Sequence, residues 1–181
     1  MRLTYVIGCS GAGKSTLHDQ LNEGGQAGVE ELDAHPSGMP SAGHVPWLEW
    51  RAAEVLAEVT ELAQQTADPD TQSAEYQHRV VTGIVWPFRL IMSNAWRAAQ
   101  EAGVQVRFVF LDRPWQDVAS SLAERYEADG RDLDDAAEEL DGNRRLQRTL
   151  RTQVEAVEGG VVVPDGDLRV AASYVWEEAT W

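Results

Sequence analysis

The chain has 181 residues, 43% of them hydrophobic and 25% charged, with a formal net charge of −15. These values are typical of one soluble globular domain and argue against a protein that coats duplex nucleic acid, because such binding depends on neutralising phosphates with Lys and Arg. No apolar run reaches membrane-spanning length, no signal-peptide pattern is present and Cys9 is the single cysteine, so we expect a cytoplasmic protein with no membrane partner.

The first two predicted elements are a strand and a helix. The apolar run at 3–7 predicts a short buried strand, and residues 14–22 predict a helix. Between them, GCSGAGKS at 8–15 matches the pattern G-x-x-x-x-G-K-[ST]. Glycines let a backbone turn its N–H groups toward a phosphate chain, and the N-terminus of the following helix favours negative charge. The loop is therefore predicted to bind a nucleoside triphosphate.

The motif assigns a task to each residue type. Lys14 is expected to reach the β- and γ-phosphates, and the Ser15 hydroxyl is expected to bind Mg²⁺. The predicted nucleotide-binding residues are Gly8, Ser10, Gly11, Ala12, Gly13, Lys14, Ser15 and Thr16.

The rest of the chain alternates strands with helices. Further strands are predicted at 29–33, 78–86, 104–112 and within 159–167, and helices at 47–65, 87–102, 115–126, 136–157 and 169–179, with 36–46 as a loop. Five strands alternating with helices predict a three-layer α/β fold, in which helices cover both faces of a parallel sheet.

The lysine content narrows the class of nucleotide-binding protein. A regulatory GTPase reads guanine with an N/T-K-x-D element, and Lys14 is the only lysine in the chain. The chain is also short for a mechanical ATPase. A small kinase fits both the length and the motif.

Several segments support that class by resemblance. YVIGCSGAGKSTL, ELDAHPSG, VPWLEW, VRFVFLDRPWQDVASSLAER and VVVPDGD follow in this order and together resemble the small P-loop kinases of the gluconate kinase type. GVQVRFVFLDRPWQDVASSLAERYEADGRDLDDAAEEL also resembles part of polynucleotide kinase. The resemblance implies one P-loop domain over 1–181, a five-stranded sheet in the order 2-3-1-4-5, a small lid at 126–135, ATP with Mg²⁺ and phosphoryl transfer to a hydroxyl.

Acidic residues after the second strand are candidates for catalysis. Asp33 is expected at the carboxyl edge of the sheet, where it could orient or deprotonate the acceptor hydroxyl. Glu31 is the second candidate on the same side, and His35 could touch the substrate. The third strand ends without the acid that polynucleotide kinases carry there, so the Mg²⁺ shell lacks an obvious carboxylate. Asp112, after the fourth strand, is the second choice for Mg²⁺.

Two groups of arginines have both a functional and a structural interpretation. Kinases of this type close a lid arginine over the transferring phosphate, which makes Arg125 and Arg131 catalytic candidates, although ordinary ion pairs could explain both. The second group is Arg144, Arg145, Arg148 and Arg151. It could face phosphates, but Asp141 with Arg145 and Arg151 with Glu155 fit i,i+4 ion pairs.

The acceptor is expected between Asp33, the 36–51 segment and the 86–89 loop. Trp47 and Arg51 lie off the apolar face of the predicted helix, and Trp47 with Trp50 could form a platform for a ring-shaped substrate. Arg89 follows the third strand at the sheet edge and could contact an anionic substrate. Packing is the alternative role for the tryptophans.

Together these features predict an ATP-dependent kinase for a sugar-, nucleoside- or nucleotide-like small molecule. Two alternatives remain open from the sequence. One is a nucleic-acid kinase acting on a hydroxyl at a strand end or on a modified base. The other is a non-enzymatic nucleotide-dependent switch.

Overall fold

A computed structural model describes residues 1–23, 29–32, 41–65, 78–130 and 137–176, without the side chains of 41–44. In chain order the elements are β1 (Arg2–Ile7), α1 (Lys14–Glu23), β2 (Val29–Glu31), α2 (Ser41–Gln65), β3 (His78–Gly83), α3 (Pro87–Ile91), α4 (Asn94–Glu101), β4 (Gln105–Asp112), α5 (Trp115–Ala128), α6 (Ala137–Ala156), β5 (Gly160–Pro164) and α7 (Leu168–Trp176). None of the helices in these ranges is long and apolar enough to cross a membrane.

The described strands form one parallel sheet with β1 at its centre. Its order is β2-β3-β1-β4-β5, and β1 pairs over its whole length with β3 on one side and β4 on the other. The register places Ile7 beside Gly83 and Phe110, so the three central strands end at the same edge. The predicted three-layer fold and its strand order are confirmed.

Alternation along the strands divides the core between the two faces of the sheet. Tyr5, Phe108 and Phe110 point toward α2, α4 and α6, whereas Val6 and Val109 point toward α1, α5 and α7. All five side chains are fully buried. Burial on both faces explains why these strands read as near-continuous apolar runs in the sequence.

Two predicted helices differ from the structure by more than one or two residues. The segment 41–46 was predicted to be loop, but α2 already begins at Ser41 and continues through Pro46. Proline has no N–H, so this helix forgoes one backbone hydrogen bond there. The single helix predicted at 87–102 is two helices, because the Ser93 hydroxyl accepts a hydrogen bond from the Trp96 N–H at 3.2 Å and caps a new helix, α4.

The strands leading to the site are shorter than predicted. β2 ends at Glu31 rather than at residue 33, and β3 ends at Gly83 rather than at residue 86. The segment predicted as a lid, 126–135, is helical in α5 as far as Ala128, and its residues from 131 on lie outside the described ranges. The predicted helix end at 177–179 also lies outside them.

His78 begins β3 in a half-buried position at the opposite edge of the sheet. Its Nε2 lies 2.9 Å from the Thr4 hydroxyl, and its ring meets Trp176 edge-on with centroids 5.2 Å apart. Burial, together with the positive charges of Arg2 and Arg107, lowers the pKa of His78 from 6.5 to about 4. The folded chain therefore favours the neutral imidazole.

This shift predicts acid-sensitive stability. In the unfolded chain His78 takes up a proton near its ordinary pKa of 6.5, whereas in the folded chain it does so only near 4. Its contribution is therefore complete above pH 6.5 and is lost as the pH falls toward 4. We expect thermal melts between pH 7 and pH 4.5 to show a smaller loss of Tm for His78→Gln than for the wild type. Equal slopes for the two proteins would contradict this account.

Candidate active site

The turn that follows β1 is shaped by glycines. A Cβ on Gly8 would lie 2.8 Å from the Cβ of Ala12, closer than side-chain atoms approach each other. Gly11 and Gly13 have φ angles of 79° and 97°, a region that favours glycine. The loop therefore has the compact form that the motif predicts, and α1 begins directly behind it at Lys14.

Lys14 and Cys9 lie on the inner side of this loop. The Lys14 side chain is buried, and its Nζ donates a hydrogen bond to the Cys9 carbonyl at 3.1 Å. The Cys9 side chain is also fully buried. Burial raises the pKa of the Cys9 thiol to about 11, and the nearby Lys14 charge offsets only part of that rise. A thiol with this pKa remains protonated near neutral pH.

A carboxylate from β2 reaches the loop. The Ser15 hydroxyl donates a hydrogen bond of 2.6 Å to Oε1 of Glu31, the last residue of that strand. Glu31 pairs in register with Thr82 of β3, and the Leu32 N–H donates to the Thr82 carbonyl at 2.8 Å. The sequence analysis ranked Glu31 below Asp33; Asp33 lies outside the described ranges, and Glu31 is the acid that reaches Ser15 within them.

Arg113 connects the loop to the helices beyond β4, and sequence reasoning missed it. Its Nη1 donates to the Gly11 carbonyl and to the Ser121 hydroxyl, both at 3.0 Å. Its own carbonyl accepts a hydrogen bond of 2.6 Å from Gln147 of α6, which is buried. The only available signal was its place directly after a buried strand at the ligand-binding edge.

Two of the four α6 arginines, Arg145 and Arg151, form ion pairs within the described part of the chain. Arg145 lies 2.7 Å from Asp141, and Arg151 donates to Glu155 at 2.9 Å, which confirms both predicted i,i+4 pairs. Arg151 also donates to Asp112 at 2.7 Å. This ion pair gives a structural role to Asp112, which was the second choice for Mg²⁺ in the sequence analysis.

Arg51, predicted to contact substrate, lies in an ion-pair network beneath α2. Its guanidinium donates to Glu30 at 2.6 Å, to Glu54 at 2.5 Å and to Glu58 at 2.9 Å. Arg79 closes the network by donating to Glu58 at 2.6 Å and to Glu30 at 2.5 Å. Partial burial by itself raises the pKa of Glu58, but the hydrogen bonds from Arg79 and Arg51 outweigh it and lower the pKa. These contacts give Arg51 a structural role in joining α2 to β2.

Trp47 and Arg89 were also predicted to contact the acceptor, and the structure places them in different surroundings. Trp47 was expected to have no core to fill, but it is partly buried and packs against the core beneath α2, so that premise is wrong. Arg89 lies 5.6 Å from the centre of the Trp86 ring and pairs with Glu49. It borders a cavity of about 320 Å³ beside the end of β3.

The remaining predicted residues are not brought together by the described structure. Arg125 is exposed in the last turn of α5, next to the segment predicted as a lid. Asp33, His35 and Arg131 lie outside the described ranges, so their roles stay predictions. Ser10 is partly exposed and Thr16 is exposed on the loop and on α1.

Three solved structures are similar to the chain at low sequence identity and low TM-score. A gluconokinase from Sinorhizobium meliloti 1021 is 19% identical over 95% of this chain and 90% of that chain, with a TM-score of 0.40. The APS kinase CysC from Mycobacterium tuberculosis, solved with AMPPNP and APS, is 23% identical over 70% of this chain and 68% of that chain, with a TM-score of 0.35. APE1195 is 14% identical over 86% of this chain and 96% of that chain, with a TM-score of 0.38. No family model and no curated protein matches the chain.

The Arg113 bridge predicts a specific defect in nucleotide binding. Arg113→Ala removes the donor that fixes the Gly11 carbonyl, so the loop should lose part of its preorganised shape. We expect the Kd for ATP, measured by isothermal titration, to rise roughly tenfold, which corresponds to the ~1.4 kcal/mol of one charged hydrogen bond. Arg97→Ala, which removes an exposed arginine of α4, is the matched control and should leave the Kd unchanged. An unchanged Kd for Arg113→Ala would remove Arg113 from the site.

The ion-pair network of Arg51 predicts that substitution of this residue lowers the stability of the fold. Arg51→Met leaves three carboxylates with only Arg79 to balance them, so we expect the free energy of unfolding to fall by about 1–2 kcal/mol. Urea denaturation measures this effect, with Arg97→Met as the control. A variant with wild-type stability but a raised KM for an acceptor would restore Arg51 as a substrate contact.

Proposed function

We propose that this chain is an ATP-dependent kinase that transfers the γ-phosphate of ATP to a hydroxyl of a small-molecule acceptor. The observation that carries the proposal is the 2.6 Å hydrogen bond from Ser15 to Glu31. It places a hydroxyl and a carboxylate beside Lys14, at the first turn of the helix that follows a glycine-shaped loop. A turn that binds only anions has no need for a carboxylate at this position.

The residues at this point fit Mg²⁺. A hydroxyl oxygen and a carboxylate oxygen are the donor types that Mg²⁺ prefers. The buried Thr82 hydroxyl, on the strand neighbouring Glu31, has no hydrogen-bond partner among the described residues and adds a polar group near them. The described ranges contain no cluster of three or more His, Cys, Asp or Glu side chains that could enclose a metal. Magnesium with phosphate and water ligands suits such an open site, where it would neutralise phosphate charge.

The reaction needs little covalent chemistry from the protein. The acceptor oxygen bonds to the γ-phosphorus, the bond from that phosphorus to the β–γ bridging oxygen breaks, and its electron pair leaves with ADP. The acceptor proton passes to a base, for which Asp33 remains the candidate. Lys14 is the candidate to hold the phosphates, and Arg125 or Arg131 is the candidate to close over them.

A small acceptor is favoured over nucleic acid. The net charge of −15 opposes binding to a polyanion, and the ion pairs of Arg145 and Arg151 reduce the positive charge that α6 can offer. We propose a cytoplasmic enzyme because the sequence contains a single cysteine and no apolar run of membrane-spanning length. A non-enzymatic switch remains the alternative if no acceptor is ever phosphorylated.

A label-transfer assay tests the proposal. The protein is incubated with γ-labelled ATP, Mg²⁺ and two acceptor pools, one of sugars, sugar acids, nucleosides and nucleotides, the other of single- and double-stranded nucleic acids. Soluble labelled product other than free phosphate would support a small-molecule kinase. Acid-precipitable label, with carrier protein excluded, would make it a nucleic-acid kinase, and no transfer to either pool would favour the switch.

Glu31→Gln provides the sharpest variant. The amide keeps the shape of the side chain but removes its charge, so we expect kcat to fall at least ~10-fold and the Mg²⁺ concentration for half-maximal activity to rise. Glu101→Gln, at an exposed position in α4, is the matched control. Lys14→Ala should abolish transfer. Wild-type kcat and Mg²⁺ dependence in Glu31→Gln would exclude Glu31 from the site.

A further inference from the structure

A cavity of about 320 Å³ opens beside the end of β3, outside the nucleotide-binding loop. The first part of α2 and the short helix α3 form its walls. Its apolar floor consists of Ala52, Ala53, Val85 and Leu90. Its volume lies in the range of small-molecule binding sites.

The cavity and the phosphate-binding loop lie at the same edge of the sheet. β3 and β1 are hydrogen-bonded neighbours, and Gly83 pairs with Ile7. The segment 84–86, which leads into the cavity, therefore leaves the sheet at the same edge as residues 8–10. A molecule in the cavity is therefore bound at the edge of the sheet that also carries the loop.

Aromatic and apolar side chains are unusually exposed around this cavity. Trp50 lines it with 58% of its surface exposed, and Trp86 lines the opposite side. Five large hydrophobic side chains are exposed in the described part of the chain, and four of them lie on the segments that form the cavity: Val45, Trp50, Phe88 and Met92. An exposed indole beside an open cavity is suited to stacking on a flat ring.

One charged pair provides the polarity of the cavity. Arg89 pairs with Glu49 and lies 5.6 Å from the centre of the Trp86 ring. A guanidinium only donates hydrogen bonds and a carboxylate only accepts them, and each has capacity beyond one ion pair. Together they match the edge of a heterocycle that carries donors and acceptors side by side. A sugar acid would instead meet the Glu49 carboxylate, with Arg89 already neutralised by it.

We propose that this cavity binds the nucleobase of the acceptor, with Trp50 stacking on the ring and Glu49 and Arg89 reading its edge. The inference rests on the proposed kinase function and deepens it, because it selects a nucleobase-bearing acceptor over an open-chain sugar acid. In keeping with the small acceptor proposed above, the base belongs to a free nucleoside or nucleotide, and a base within a single strand is the other outcome of the test. Both sources present the same ring chemistry.

Binding can be measured without turnover. Saturation-transfer NMR is recorded with adenosine, guanosine, cytidine and uridine, with a short single-stranded oligonucleotide of mixed sequence and with gluconate, each in the presence of Mg²⁺ and a non-hydrolysable ATP analogue. We expect transfer to base protons of a nucleoside or of the oligonucleotide, and none to gluconate. The arm that responds identifies the source of the base.

Three variants assign the site. Trp50→Ala should weaken binding of the responding ligand at least ~5-fold, whereas Trp50→Phe keeps a ring and should retain most of it. Glu49→Gln should weaken binding of bases that donate to it. Val170→Ala removes an exposed apolar side chain of α7 and should have no effect. Circular dichroism and thermal melts confirm that each variant is folded.

The outcomes separate this inference from the kinase proposal. Failure of every base-bearing ligand to bind, or equal binding by Trp50→Ala and the wild type, overturns the nucleobase site even if a sugar acid is phosphorylated. Base binding that depends on Trp50, without label transfer to any acceptor, retains the site and overturns the kinase. Lys14→Ala should lose transfer but retain base binding.

Discussion

The pairing of β1 with both β3 and β4 positions the glycine-shaped loop, the entrance to the cavity and Arg113. β1 and β3 end in register and β4 continues for two residues past Phe110, so the segments that follow Ile7, Gly83 and Asp112 emerge at one edge of the sheet. The first carries the glycine-shaped loop, the second leads to the cavity, and the third supplies Arg113 to the loop. A slip of one residue in either pairing would turn the buried side chains of one strand toward the opposite face.

The sequence allowed this core of the structure to be predicted because its signals are local. The spacing of Gly8, Gly13 and Lys14 is restrictive, and it lies between an apolar strand and a helix. Alternation of strands and helices then predicts a parallel sheet. Asp141 with Arg145 could be paired from sequence for the same reason, since one helical turn brings them together.

The contacts that sequence reasoning missed join distant parts of the chain. Glu31 reaches Ser15 across 16 positions, Arg113 reaches Gly11 across 102, and Arg51 meets Glu30 across 21. No periodicity reports such contacts, because they depend on which strand is placed beside which. Trp47 was misread because it packs against the core although it lies off the apolar face of its helix. Pro46 was misread because tertiary packing can override a local breaker.

The buried thiol of Cys9 allows the local opening of the loop to be measured. Alkylating reagents attack the thiolate, and Cys9 is both inaccessible and protonated near neutral pH in the closed loop. Modification of the folded chain must therefore wait for a local opening of the segment between β1 and α1. Because Cys9 is the only cysteine in the sequence, the rate at which it is alkylated measures how often this segment opens, and no label has to be introduced.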